Sequence, residues 1–209
     1  MESTPTIVLG TTNRKKGGEL AELLGGLKLE IQTLQAYPEA LDVVEDGSSF
    51  ADNARRKAVQ QALHLRRWVL GEDSGIGVDA LGGAPGIYSA RFAGEAATDE
   101  ANNQHLLKQL GDTPLEQRTA HYTCHMTLSD PRGQVRAESE AYCRGRILFA
   151  PIGTGGFGYD PLFEILEYHR TFGQMGPAAK AALSHRARAA RALRPQLRRL
   201  IQEGEWVSS

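Results

Sequence analysis

Several common features are scarce in this 209-residue chain, and each scarcity removes a class of protein. It has two cysteines, Cys124 and Cys143, without CxxC or Cys/His spacing, which argues against a disulfide framework and a zinc site. Both thiols read as buried small hydrophobes, and a reducing cytoplasm is the expected compartment. An excess of one charge is missing: 24 Lys and Arg stand against 25 Asp and Glu, so a protein built to coat nucleic acid is not expected. Long apolar runs are missing too. The longest stretch free of charge, between Arg146 and Asp160, is broken by glycines and falls short of the ~20 apolar residues of a membrane span. Met1 to Thr6 lacks the basic start and apolar run of a secretory leader. The 23 glycines and nine prolines are dispersed, which leaves no collagen-like repeat or low-complexity tract.

What is present is an alternation of short apolar runs with helical patterns. Thr6 to Leu9 reads as a buried strand, followed by a polar cationic turn, Thr11 to Lys16, and a helix carrying Leu20, Leu23 and Leu24. Leu27 to Leu34 alternates like a strand. Asp46 to Ser49 then starts a helix running from Phe50 to about Arg66. Trp68 to Gly71 reads as a short strand ending at an acidic turn, Glu72 to Gly75, and Gly82 to Gly86 as an irregular loop. Helical pattern resumes from Thr98 to Leu110. Arg118 to Leu128 and Gln134 to Leu148 form an expected hairpin around Asp130 to Gly133, and Ser184 to Gln202 a closing helix that Pro195 is expected to kink or divide. The expectation is an α/β fold, one domain over residues 1–209, with a second lobe at roughly 115–150 and a substrate cleft between the lobes.

Three sets of residues point to chemistry. Thr11, Thr12, Asn13, Arg14, Lys15 and Lys16 lie where a strand passes into a helix, a place where N–H groups and cations converge on phosphate, although the glycine spacing of a Walker loop is missing. Two acidic pairs, Glu45 with Asp46 and Glu72 with Asp73, lie at expected element ends, and hard carboxylate oxygens suit magnesium. Gly153 to Gly158 satisfies GxGxxG, yet Pro151 precedes it and Tyr159, Asp160 and Pro161 follow, so it does not open a helix as a dinucleotide site requires. It reads instead as a close-approach loop with Phe157 available to stack on a base. His121 and His125 fall in a strand ~13 Å apart, too far for one metal. Lys180 to Arg199 carries seven basic residues and no acidic one, and opens with Ser184 as a possible cap and Arg186 as a donor fork.

Taken in order, Thr11-x-Asn13-x-x-Lys16, Glu45-x-Gly47, Phe50-x-x-Asn53-Ala54-x-x-Lys57-Ala58, Glu72 to Gly75, GGAPGIYSARF from Gly82 to Phe92, GTGGFGYDP from Gly153 to Pro161, and Lys180 with Ser184-His185-Arg186 resemble one family. It is the inosine/xanthosine triphosphate pyrophosphatases, RdgB-like house-cleaning nucleotide hydrolases. The resemblance implies a two-lobed mixed sheet with flanking helices, commonly a homodimer, that cleaves purine nucleoside triphosphates to monophosphate and pyrophosphate with Mg2+. It implies that Thr11 to Lys16 hold phosphates, that Glu45 and Asp73 serve the metal, and that Asp73 accepts a proton. Lys16, Lys57 and Glu72 join Asp73 as catalytic residues, with Ser74 beside them. Phe157, Gly158, Tyr159, Asp160, Lys180, His185 and Arg186 match nucleotide-binding positions, Arg186 or backbone donors being expected to read the base. Two departures stand out: Glu72 where the family often has Asp, and GQMGPAA from Gly173 to Ala179 without the usual acidic residues. A pyrophosphatase for modified pyrimidine triphosphates, a non-catalytic purine nucleotide sensor and a nucleic-acid protein using the Lys180 to Arg199 helix are the alternatives.

Overall fold

The computed structural model describes residues 4–206; Met1 to Ser3, on which the expectation about a leader partly rests, lie outside them. The strands are β1 (Thr6–Leu9), β2 (Glu30–Thr33), β3 (Val69–Val78), β4 (Thr119–Ser129), β5 (Val135–Ile147), β6 (Phe163–Ile165) and β7 (Arg170–Thr171). The helices are α1 (Arg14–Leu24), α2 (Phe50–Leu65), α3 (Asp99–Leu110), α4 (Pro177–Leu183) and α5 (His185–Gln202). The sheet order is β2-β1-β3-β4-β5-β6-β7. Strand β1 pairs in parallel with β2 and β3, whereas β6 pairs antiparallel with β5 and β7, so this is a mixed-sheet α/β fold. Among the described residues no helix is long and apolar enough to cross a membrane.

The chain divides into two compact units at other places than 115–150. Unit 1 is Met1–Asp73, Cys124–Ala141 and Arg186–Ser209; unit 2 is Ser74–Thr123 and Tyr142–His185. The long strands β3, β4 and β5 each contribute one half to either unit, a division that composition along the chain does not reveal.

In unit 1, Ile7, Leu9, Leu20, Leu24, Leu70, Met126, Leu193 and Leu197 form one apolar core. Asn13 and Ser49 cap α1 and α2 by accepting from N–H groups of the first turn. Gly71 lets α2 approach β3, since a Cβ there would run into the carbonyl oxygen of Ala54. Trp68 and Trp206 stack with centroids 4.4 Å apart, and Trp206 Nε1 donates to the Thr6 carbonyl at 3.2 Å. Helix α5 continues through Pro195 to Gln202 rather than dividing there. Part of its basic character is structural, because Arg194 Nη1 donates to the carbonyls of Leu23 and Gly25 at the end of α1.

Unit 2 has its own core, including Ile76, Val78, Leu106, Leu110, Tyr122, Phe163 and Phe172. Thr98 caps α3. Arg118, 1% exposed, donates to the carbonyls of Gly111, Ile147 and Leu148, so a buried cation satisfies carbonyls at the ends of α3 and β5.

Candidate active site

The expected acidic turn is absent: Glu72 to Gly75 lie inside β3, which continues to Val78. Two carboxylates survive in the middle of a buried strand because unit 1 surrounds them with donors. Glu72 is 1% and Asp73 5% exposed. Asp73 Oδ1 accepts from Lys57 Nζ at 3.1 Å and Oδ2 from Asn53 Nδ2 at 3.1 Å. Lys57 Nζ also donates to Glu45 Oε2 at 3.0 Å, so one ammonium holds two carboxylates from different segments. Asn53 Oδ1 accepts from the Gly47 N–H at 2.8 Å, which ties the loop carrying Glu45 to the helix carrying Lys57.

Burial raises the pKa of Asp73, the charges of Lys57 and Lys16 oppose that rise, and Glu45 and Glu72 reinforce it. For Lys57 burial pulls downward, but Asp73, Glu45 and Glu72 outweigh it, so its pKa is raised and the ammonium stays charged. Lys16 Nζ lies 3.4 Å from Glu72 Oε2. Cys124 Sγ lies 3.4 Å from Glu72 Oε1, and burial followed by that negative charge pushes its thiol well up. The thiol is therefore kept protonated and is no nucleophile.

Arg186, expected to face the base, engages two carboxylates. Its Nε and Nη2 donate to Glu72 Oε1 at 3.2 and 2.9 Å, and Nη1 donates to Glu19 Oε2 at 2.6 Å. At 1% exposure it acts as counter-charge to the carboxylates of unit 1. In the first loop Asn13 Oδ1 accepts from the N–H groups of Lys15 and Lys16, so those two amides serve the helix cap. Thr12, Asn13, Arg14 and Lys15 are exposed, while Thr11 and Lys16 are half-buried.

Unit 2 holds a second cluster. Asp160, 3% exposed, accepts from Lys180 Nζ at 2.7 Å and from the Phe157 N–H at 2.9 Å through Oδ2, and from the Tyr122 hydroxyl at 3.4 Å through Oδ1. Lys180 Nζ sits 4.3 Å from the centroid of the Phe157 ring, a cation–π contact. His185 stacks on Tyr122, centroids 4.5 Å apart and planes 8° from parallel. The Tyr159 hydroxyl donates to the Ser89 carbonyl at 2.8 Å, and burial followed by the charge of Asp99 raises its pKa. Ser74, half-buried on β3, opens unit 2 directly after Asp73. As the sequence suggests, Gly153 to Gly158 open no helix.

Glu45, Asp73, Lys57, Lys16 and Glu72 thus belong to one cluster in unit 1, and Phe157, Asp160, Lys180 and His185 to one in unit 2. Sequence reasoning placed Asn53 only in a motif and missed Glu19 and Tyr122 altogether. A buried polar residue on an apolar helix face, as Asn53 is, was the available signal. Tyr122 carries none.

A profile of the Ham1 family matches residues 7–196. The dITP/XTP pyrophosphatase of Rhodopirellula baltica is 54% identical over 196 residues, 94% of each chain. That of Desulforamulus reducens is 44% identical over 194 residues, 93% of this chain and 96% of the other. The structure of a HAM1 protein from Coxiella burnetii is similar with a TM-score of 0.82 at 33% identity, covering 95% of this chain and 99% of that one.

Proposed function

We propose that this chain, which belongs to the Ham1 family, hydrolyses the non-standard purine nucleoside triphosphates dITP, ITP and XTP to the monophosphate and pyrophosphate. The observation that carries the reading is the convergence of Glu45 and Asp73 on one buried, charged Lys57. Such a set faces a polyphosphate with ammonium groups and a divalent cation with hard oxygens.

Magnesium fits this cluster. Among the described residues no group of three or more His, Cys, Asp or Glu is arranged to hold a metal unaided. Magnesium, however, is commonly held by one or two carboxylates, with phosphate and water oxygens completing the shell. The raised pKa of Asp73 reflects negative charge crowded into a buried place, which a cation would relieve. We assign Glu45 and Asp73 as its protein ligands. When bound, magnesium supplies neutralisation of phosphate oxygens.

The remaining roles fall to the chain. Asp73 accepts the proton of the water that attacks the α-phosphorus; each of its oxygens engages one donor and keeps a further lone pair. Lys57 and Lys16 stabilise charge on the departing pyrophosphate, while Thr11 to Lys16 hold phosphate oxygens. Glu72 sets the position of Lys16. In unit 2, Phe157 offers a face for the purine, with Gly158 and Tyr159 completing its loop, and Lys180 donates to a 6-keto oxygen. The amino group of ATP would present hydrogen to hydrogen there, and an unmatched buried donor discriminates strongly. His185 backs this cluster through Tyr122. Arg186 takes no part in reading the base. We take the assembly to be a homodimer, to be checked by light scattering. The buried free thiols suit a reducing compartment.

Product analysis with ITP and Mg2+ tests the reading. Pyrophosphate and inosine monophosphate are expected in equal amounts, and release of orthophosphate as the first product would overturn it.

A further inference from the structure

Helix α3 carries two adjacent buried asparagines, each holding a different loop. Asn102, 4% exposed, accepts from the Ala93 N–H at 2.8 Å and donates to the Ala90 carbonyl at 3.1 Å, so both ends of its amide are engaged. Asn103, 7% exposed, donates from Nδ2 to the Gly158 carbonyl at 3.0 Å. Its Oδ1 is buried and accepts no hydrogen bond among the described residues. One turn earlier on the helix, Asp99 Oδ2 accepts from the Gly158 N–H at 2.9 Å. Residue 158 is therefore gripped by both of its backbone polar groups, from positions i and i+4 of one helix.

Gly158 needs a grip. Its φ of +62° lies in the left-handed region that only glycine adopts freely, and glycine loses more backbone freedom on ordering than any other residue. It directly follows Phe157, whose ring carries Lys180. Its neighbours are anchored elsewhere, Phe157 on Asp160 by its N–H, Tyr159 on Ser89 and Asp160 on Lys180 and Tyr122, whereas both backbone groups of Gly158 are held by α3.

Stability does not account for Asn103. A buried acceptor left without a donor is unfavourable, and a leucine of similar size would complete the apolar face that Leu106 and Leu110 form on the same helix. Gly158 is half-buried, so its carbonyl can turn to water if the amide is removed. What the amide achieves is fixation of the loop.

We propose that Asp99 and Asn103 are positioning residues that hold the Phe157 ring ready for the purine, and so determine affinity for the base rather than the phosphate chemistry; this rests on the function proposed above. The step is one of pre-organisation: a loop already ordered loses less freedom when ligand binds.

The test uses Asn103→Leu, with Asn103→Asp as a second variant that sets an oxygen against the Gly158 carbonyl. Both should raise KM for ITP about tenfold while kcat falls less than threefold. Inhibition by tripolyphosphate, which has no base, should stay within twofold. Asp99→Ala should behave like them, and Asp99→Asn, which keeps an acceptor for the Gly158 N–H, should recover most of the loss. Amide hydrogen exchange at Gly158 should speed up at least tenfold in Asn103→Leu, with the melting temperature held or raised. KM within twofold of wild type in both Asn103 variants, unchanged exchange at Gly158, or equal damage from Asp99→Asn and Asp99→Ala would overturn the proposal. A wild-type protein that leaves ITP intact would instead sink the proposed function, and the exchange measurement would still decide whether α3 orders the loop.

Discussion

Unit 1 and unit 2 differ in how their buried charges are grouped. In unit 1 the buried charges join in one network, Asp73 with Lys57 and Glu72 with Arg186 and Lys16, beside neutral side chains such as Gln61 and Ser139 that hold backbone. In unit 2 the buried charges stand separately, Asp160 with Lys180, Glu164 with Arg146 and Arg118 on carbonyls, while Asn102, Asn103 and Tyr159 hold backbone. Ion clusters are electrostatically tense and suited to charge that develops in a reaction. Backbone clamps fix shape and suit recognition of a rigid ring. On the function proposed above, the contrast separates catalysis from selection, and substitutions on either side can break it.

The largest effect is expected at Asp73. Asp73→Asn should lower kcat for ITP by about 10³-fold or more, as loss of a proton acceptor does. Because folding raises the pKa of this carboxyl, the folded state disfavours its charged form, and that unfavourable contribution grows as pH rises through the raised value. The variant should therefore melt no lower than wild type at neutral pH when both are free of metal. A full-activity variant would remove charge chemistry from unit 1. Next comes Arg186→Met, expected to lower stability by about 3–5 kcal/mol in denaturant titration, because it leaves Glu72 and Glu19 with less counter-charge. Lys180→Met should reduce the preference for ITP over ATP by ~10²-fold in kcat/KM, consistent with loss of a buried donor to the substrate. The smallest effects are local: Ser49→Ala in unit 1 and Thr98→Ala in unit 2 each remove a helix cap and should each lower stability by about 1 kcal/mol. Equal values there would show that the units differ in their buried chemistry and not in their helices.

Much of this was legible in the sequence where the signal was local. Thr6 to Leu9, the helix start at Asp46 to Ser49, the hairpin turn from Asp130 and the start of α3 follow from periodicity and capping, because neighbouring residues determine them. Strand β3 was misread because two acidic residues next to glycine resemble a turn; their partners Lys57, Lys16 and Arg186 lie far away in sequence, and only folding brings them in. The carboxylate partners of Arg186 went unread for the same reason, since a helix start shows a donor fork but not Glu72 and Glu19. The residues of both clusters were singled out from their order along the chain. Which ones share a cluster was not, because the boundary between units runs through the interiors of three strands.

The tryptophan pair has an optical consequence. Both indoles of the protein, Trp68 and Trp206, stack within unit 1, whereas Tyr88, Tyr122, Tyr142, Tyr159 and Tyr168 belong to unit 2. Emission excited at the red edge of absorbance therefore originates in one half of the molecule alone, and phenol absorbance is weighted toward the other. The chain carries its own two-colour reporter, able to tell without any attached dye which half loosens first.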